Sequence, residues 1–238
     1  MPSNKICGSL VAGMLLALPA LAAADSDPLA GKFSISDATQ GLHGSGRLMA
    51  VIDIAQGAMK LGSFHCELFE KDAPNTVANF VGLARGLRPF RDPGTRQWVK
   101  RPYYDGLIFH RVIPSFMIQG GDVTGSGSGQ IGYSIPDEKN EPHKFDRGGV
   151  LAMANRGRNT ADAQFFITEV AKPYLDDGGL PGSHYQIFGQ CQEVDLVRKI
   201  ATTPSANDRP QQDVKITKVT IQREGAAPSA PKQGPAKK

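Results

Sequence analysis

Apolar and polar side chains alternate along much of this chain, which is the pattern of half-buried β-strands. In residues 63–70, for example, Phe64, Cys66 and Leu68 share one face, while His65 and Glu67 lie on the other. Alternation also predicts strands at residues 109–122, with a break at Pro114, and at 213–222. Strand-like apolar stretches predict four more, at residues 47–54, 148–155, 163–170 and 186–191. We therefore expect roughly eight strands.

Helical spacing occurs in two further stretches. The first has Asp72 as a candidate N-cap, Pro74 in its first turn and Gly86 as a C-cap. The second helix follows residue 192. The apolar positions at helical spacing are Val77, Phe80, Val81 and Ala84 in the first and Val194, Val197 and Ile200 in the second. Two helices are too few for repeated βαβ units, so many short strands favour a barrel or a sandwich.

The same pattern divides the chain into four parts. Residues 1–24 have the features of a signal peptide: Lys5 precedes an apolar run at 10–21, and Ala22 and Ala24 fit a cleavage site. The run is short for a bilayer span, so we expect cleavage after Ala24 or Ala22 rather than an uncleaved anchor. The mature protein is then expected in the periplasm or outside the cell, without stable membrane insertion. Residues 25–47 form a polar, loosely attached segment, 48–224 the folded domain and 225–238 a basic disordered tail.

Charge limits the classes of partner. The formal net charge of +4 comes from Lys5 and from three lysines in the tail, so residues 25–224 are neutral. A neutral domain argues against nucleic-acid binding, which needs a basic face. The five histidines lack the paired spacing of metal ligands, and no phosphate-loop or hydrolase motif occurs. We expect neither metal nor cofactor, and a monomer.

Cys66 and Cys191 remain after export. An oxidising compartment allows a disulfide between them, and the alternative is two small buried apolar side chains. Both lie on predicted strands, which would have to be neighbours for the bond to form.

Residues 109–122, FHRVIPSFMIQGGD, place a cation inside an apolar stretch. Period-two alternation puts Phe109, Arg111 and Ile113 on one face of the strand, and His110 on the other. A hairpin at Pro114 would set Arg111 beside Met117 and Gln119. Taken alone, this segment leaves two interpretations open: a structural ion pair for Arg111, or a role in binding.

A second segment, GVLAMANRGRNTADAQFFITEV, narrows the choice. Together the two segments resemble the cyclophilins, a family of peptidyl-prolyl cis-trans isomerases. The matching motifs are F-H-R at 109–111, P-x-F-M-x-Q-G-G-D at 114–122, M-A-N at 153–155, N-T at 159–160 and Q-F-F-I at 164–167. The resemblance covers residues 48–221. It implies a mainly β fold, in which eight antiparallel strands form a closed barrel with two capping helices.

The resemblance also implies roles for individual residues. Arg111 would be the catalytic residue, and Gln119 would hold Arg111 in place and contact the substrate. The remaining residues would contact the substrate: Phe116, Met117, Phe166 and Leu175 around the proline ring, Ala154, Asn155 and Gln164 along the peptide backbone, and Tyr174 and Tyr185 at the pocket edge.

Two of these positions depart from the eukaryotic family pattern. Tyr174 stands where those members have tryptophan, which weakens the expectation of tight cyclosporin binding more than that of catalysis. Tyr185 stands where many members have histidine. His184 is adjacent, but a shift of one residue on a strand redirects the side chain, so Tyr185 is assigned and His184 is kept as an alternative.

The resemblance implies an isomerase that acts on X-Pro bonds in proline-containing peptides and unfolded exported proteins, without a cofactor. The alternative is a non-catalytic peptide-binding or chaperone module on the same fold. The presence of Arg111, Gln119 and Phe166 favours the enzyme.

Overall fold

A computed structural model describes residues 26–176 and 184–225. The predicted signal peptide and the basic tail therefore lie outside the described residues. The helices are α1 (Ile35–Thr39), α2 (Pro74–Ala84) and α3 (Val194–Ala201), with a 3-10 turn at Pro173–Leu175. The strands are β1 (Leu48–Gln56), β2 (Met59–Leu68), β3 (Phe90–Arg91), β4 (Trp98–Val99), β5 (Phe109–Ile113), β6 (Met117–Gly120), β7 (Val150–Met153), β8 (Phe165–Thr168), β9 (Ile187–Cys191), β10 (Ser205–Ala206), β11 (Arg209–Pro210) and β12 (Val214–Arg223). No helix in the described ranges is long and apolar enough to cross a membrane.

Eight strands form one antiparallel sheet in the order β12-β1-β2-β9-β7-β8-β6-β5. They correspond to the eight strands predicted from the sequence, with the predicted strand at 109–122 divided into β5 and β6. The mainly β prediction is confirmed. Two short hairpins, β3–β4 and β10–β11, lie outside this sheet and were not predicted.

The prediction of a closed barrel is wrong. The sheet curls, but its edge strands β5 and β12 share no ladder in the described structure. They are linked only near the start of β5, where an isolated bridge joins Ile108 to Lys215. Further along β5, the N–H of Val112 donates to the carbonyl of Asp208 at 2.7 Å. The β10–β11 hairpin thus occupies backbone that a full ladder with β12 would need.

Alternation along the strands separates two apolar clusters on the two faces of the sheet. The inner core includes Phe64, Phe80, Phe109, Phe165 and Phe188, all fully buried. The second group, here the pocket cluster, consists of Met117, Phe145, Val150, Ala152, Phe166, Leu175 and Ile187. Because neighbouring residues alternate, Phe165 and Phe166 of β8 belong to different clusters.

Helix α2 packs its apolar residues into the inner core. Its N-cap is Ala73, which has no capping side chain, so the prediction of Asp72 is wrong. The carboxylate of Glu138, far away in sequence, instead accepts hydrogen bonds from the N–H groups of Asn75 and Thr76, at 2.9 and 2.8 Å. A loop residue thereby satisfies backbone donors that the helix leaves free at its first turn.

The segment before β1 is packed rather than loosely attached. Ser34 and Asp37 form a capping box at the start of helix α1, and Ala38 is fully buried against the inner core. Arg85 of the α2 C-terminus donates to the carbonyls of Ala38 and Gln40. The polar composition of this segment concealed a short capped helix.

Cys66 of β2 and Cys191 of β9 are directly opposite in the ladder, with Cα atoms 3.9 Å apart, and form a disulfide. Both are buried in the inner core. The disulfide interpretation is confirmed, and it depends on a strand pairing that joins residues 125 positions apart.

Candidate functional site

The β5–β6 hairpin places the predicted site residues side by side. Arg111 is opposite Gln119, and Ile113 is opposite Met117. The turn requires Ser115 to adopt a φ of 58°, which is uncommon for a residue with a side chain. The buried carboxylate of Glu169 accepts from the Ser115 N–H at 2.6 Å and thus holds this turn.

A register shift between Phe109 and Arg111 changes which residues share a face. Phe109 lies in the inner core with Val112, whereas Arg111 is exposed on the other side. The expectation that Phe109 shares the face of Arg111 is therefore wrong. An irregularity of this kind reorients side chains and is frequent beside functional sites.

A cavity of about 220 Å³ opens on the outer face of β5, β6, β8 and β7. Arg111 lies at its edge with 45% of its side chain exposed, above an apolar floor. The residues that line the cavity are Arg111, Phe116, Met117, Gln119, Ala154, Asn155, Phe166, Leu175 and Tyr185. The cavity therefore combines a cation with an apolar space that accommodates a small ring.

The floor of the cavity is built by aromatic packing. Phe145 stacks on Phe166 at 6.0 Å between ring centroids, and Tyr185 meets Phe166 edge-on at 5.6 Å. Met117 and Leu175 are nearly fully buried beside them. These contacts fix the ring of Phe166 and leave the shape of the pocket little freedom to change.

Hydrogen bonds between side chains form the polar border. The Gln119 amide donates to Gln164 Oε1 at 3.1 Å, and Gln164 donates in turn to the Gly127 carbonyl at 3.1 Å. Asn155 donates to the carbonyl of His184 at 2.6 Å. Gln119 was predicted to hold Arg111 in place. In the described structure the two residues are opposite each other, but no hydrogen bond joins their side chains.

Arg111 has a different partner. Its Nε lies 3.4 Å from the carboxylate of Asp208, in the turn between β10 and β11. Sequence reasoning did not single out Asp208, because 97 residues separate the two positions. Only the docking of the hairpin on β5 brings them together.

Tyr185, His184 and Tyr174 lie in different places relative to the cavity. Tyr185 lines the cavity, whereas the ring of His184 contacts the Glu138 carbonyl at 2.7 Å, so the alternative assignment to His184 is not supported. Tyr174 is 53% exposed, and its ring centroid lies 6.4 Å from that of Phe116. It therefore lies outside the cavity lining, at the rim.

A smaller cavity of about 50 Å³ adjoins the first one and shares Gln119, Ala154 and Asn155 with it. Arg156 borders it, and donates to the Gly129 carbonyl at 3.0 Å and pairs with the buried Asp162 at 3.4 Å. Arg156 and Phe145 were missed by the sequence reasoning. A lone aromatic in the polar stretch 134–149 was the available signal for Phe145.

The loop 122–129 supports this border through Asp122. Burial disfavours the charged form of Asp122, but hydrogen bonds from Thr124, Gly129 and Gly127 outweigh it, so the pKa of this carboxyl is lowered. The group is thus ionised at neutral pH and holds the loop whose Gly127 carbonyl accepts from Gln164.

His110 is buried beside this loop, and neither ring nitrogen has a hydrogen-bond partner in the described structure. Burial lowers its pKa, with Asp122 acting in the opposite direction. Its ring lies next to Gly127 and not in the cavity lining, so His110 takes no part in the chemistry of the pocket.

A larger cleft of about 410 Å³ lies at residues 45–48 and 67–72. Five of its lining residues are charged, namely Arg47, Glu67, Glu70, Lys71 and Asp72, and Arg47 is bound by Glu67 and Glu224 at 2.8 Å each. In the described ranges, no cluster of three or more acidic, histidine or cysteine residues could hold a metal. The smaller apolar pocket beside Arg111 is therefore the candidate active site.

Comparisons with known proteins agree with this site. Residues 51–221 match the family described as cyclophilin type peptidyl-prolyl cis-trans isomerase/CLD. The chain is 43% identical over 164 residues to a probable peptidyl-prolyl cis-trans isomerase A of Mycobacterium leprae, covering 67% of this chain and 87% of that protein. It is 40% identical over 166 residues to peptidyl-prolyl cis-trans isomerase B of Streptomyces anulatus, covering 68% and 91% of the two chains.

Proposed function

The chain belongs to the cyclophilin-type peptidyl-prolyl cis-trans isomerases, and on that premise we propose that it is an exported enzyme that assists the folding of other exported proteins. Its isomerase activity follows from the family. The observation that carries the assignment to this pocket is the guanidinium of Arg111 at the edge of an apolar cavity of about 220 Å³. The substrates are X-Pro bonds in unfolded or flexible segments.

The reaction requires rotation about an amide bond whose resonance creates a high barrier. As the bond twists, the proline nitrogen regains its lone pair and becomes a better acceptor. Arg111 stays protonated and so cannot act as a base, but it can donate a hydrogen bond to that nitrogen. This bond strengthens only in the twisted state, which is selective stabilisation of the transition state.

Arg111 alone can supply only part of the reduction in the activation free energy. A rate gain of about 10⁵ requires roughly 7 kcal/mol. A hydrogen bond from a charged donor supplies about 1.5–3 kcal/mol of this. Exclusion of water by Phe166 and Met117, and placement of the ring in the cavity, supply the remainder.

The test is isomerisation of a proline peptide by wild type and Arg111→Ala. Loss of this donor is expected to lower kcat/KM by about 10–10², which corresponds to the 1.5–3 kcal/mol of the hydrogen bond, with an unchanged melting temperature. Arg147→Ala is the matched control, because Arg147 pairs only with its neighbour Asp146 in the described structure and is exposed. Equal activity of Arg111→Ala and wild type would refute the mechanism. Peptide binding without any rate enhancement by wild type would favour a non-catalytic binding module.

Export is supported by the apolar run at 10–21 and by the disulfide between Cys66 and Cys191, since disulfides persist in oxidising compartments. Sequencing the N-terminus of the mature protein tests it. A start at Asp25 or Ala23, in the periplasm or the medium, is expected. An intact Met1 in the cytoplasmic fraction would contradict export. We also propose that the protein is a monomer, which size-exclusion chromatography tests.

A further inference from the structure

Asp208, the acidic residue beside Arg111, does not take part in the proposed hydrogen bond to the proline nitrogen. We propose that Asp208 is a positioning residue for Arg111: its carboxylate holds the Nε edge of the guanidinium, so that the two terminal nitrogens are directed to the substrate. The contact is 3.4 Å, from Arg111 Nε to Asp208 Oδ2. The inference rests on the isomerase activity of this same pocket.

The hairpin that carries Asp208 is attached to β5 at two consecutive residues. The Asp208 carbonyl accepts from the Val112 N–H at 2.7 Å, and the Asp208 side chain contacts Arg111. On the other side of the turn, Arg209 donates to the Gly125 carbonyl at 2.6 Å. The backbone of Asp208 is therefore fixed relative to the strand that carries Arg111.

The backbone of the turn favours glycine over aspartate at this position. Asn207 and Asp208 form the two central residues between the paired Ala206 and Arg209, and both have positive φ, 50° and 64°. Such turns favour asparagine followed by glycine, because glycine adopts this conformation without a steric cost. Aspartate tolerates it less well, and residues held in such conformations cluster at functional sites.

The chemistry of the guanidinium explains why its Nε edge matters. Arginine presents its donors in a rigid planar fork, so one bond on the Nε edge restrains the direction of all the others. Gln119 makes no hydrogen bond with Arg111 in the described structure, and its amide nitrogen donates to Gln164 instead. Since Arg111 and Asp208 are 45% and 48% exposed, the restraint is modest and open to screening by salt.

The decisive comparison is between Asp208→Gly and Asn207→Gly. Both variants place glycine in the same turn at a position of positive φ, but only the first removes the contact with Arg111. For Asp208→Gly we expect kcat to fall by about two- to fivefold, with unchanged KM and an unchanged or higher melting temperature. Asn207→Gly is expected to keep the wild-type kcat. Asp208→Asn keeps the shape without the charge and is expected between the two.

Salt supplies a second readout. The advantage of wild type over Asp208→Gly should shrink as salt rises towards about 1 M, with an uncharged proline peptide as substrate. A wild-type kcat in Asp208→Gly, or an equal loss in Asn207→Gly, would overturn the inference while leaving the isomerase function intact. An inactive wild-type protein would instead overturn the isomerase function, and with it the positioning role.

Discussion

Phe165 and Phe166 are neighbours on strand β8, but they belong to two regions with different roles. Phe165 is fully buried in the inner core among Phe80, Tyr104 and Phe109. Phe166 belongs to the pocket cluster and forms part of the cavity lining. The same kind of side chain therefore packs into the core on one face of the sheet and lines the candidate site on the other.

The inner core and the pocket cluster differ in how completely their apolar side chains are covered. In the inner core, the buried aromatic residues are at most 2% exposed, and helices α2 and α3 contribute side chains to the same cluster. In the pocket cluster, Phe116, Ala154 and Tyr185 remain partly exposed around an open cavity. In the proposed function, this open apolar surface beside Arg111 is the binding site, because a proline ring would complete its packing.

The sharpest test of this division exchanges one residue in each region. Phe165→Ala should lower the free energy of unfolding by about 3–5 kcal/mol, because it leaves a cavity in a closed core. Phe166→Ala should instead lower kcat/KM by about ten- to a hundredfold, with a smaller loss of stability. Urea denaturation and the isomerase assay on both variants measure the two effects. If both variants lost stability and kcat/KM to the same degree, the inner core and the pocket cluster would not have separate roles.

The disulfide tests whether the inner core can be weakened without affecting the site. Cys66→Ala together with Cys191→Ala should lower the free energy of unfolding by about 2–5 kcal/mol, because the bond restrains a long loop in the unfolded chain. Activity at low temperature should be unchanged. Reductant should destabilise wild type to a similar degree and have no further effect on the double variant, as chemical denaturation will show.

Glu138 links the two regions, since its side chain caps α2 and its carbonyl contacts His184 near the pocket. Glu138→Gln should lower the free energy of unfolding by about 1 kcal/mol, because a neutral amide replaces a charged acceptor at a helix N-terminus. Glu141→Gln, the same change at an exposed carboxylate outside the helices, is the control. A wild-type melting temperature in Glu138→Gln would show that the cap contributes nothing.

The smallest expected effect concerns His110. Burial lowers its pKa below the ordinary value of 6.5, so the folded protein binds this proton less readily than the unfolded chain. The contribution of His110 to the free energy of unfolding is therefore fully present above about pH 6.5. It decreases as the pH falls towards the pKa of His110 in the folded protein. The groups that affect this titration are Asp122, Arg209 and Arg111.

Thermal melting of wild type and His110→Leu across about pH 5–8 measures the effect. The acid-dependent part of the decrease should be smaller in the variant, which carries no titrating group at this position. Identical pH profiles of the two proteins would show that His110 is protonated as easily in the folded protein as in the unfolded chain.

Much of this molecule follows from local pattern. Alternating and strand-like apolar stretches locate all eight strands of the sheet, and the family resemblance carried by the motifs around Arg111 and Gln164 implies the residues that line the pocket. Local pattern failed at Phe109, because a register shift breaks the alternation, and at Asp72, because the cap of α2 comes from Glu138. The residues next to Phe109 do not indicate the register shift, and the residues next to Asp72 do not indicate that the cap comes from Glu138.

Residue type and periodicity are local properties, so the positions of the strands and of two helices, and the kinds of side chain available for chemistry, follow from the sequence. Which distant residues meet depends on the packing of the whole chain. Strand order places Cys66 opposite Cys191, and the β10–β11 hairpin brings Asp208 to Arg111 and takes the edge that a closed barrel would use. These contacts depend on strand order and on competition for backbone hydrogen bonds, which are set when the whole chain packs.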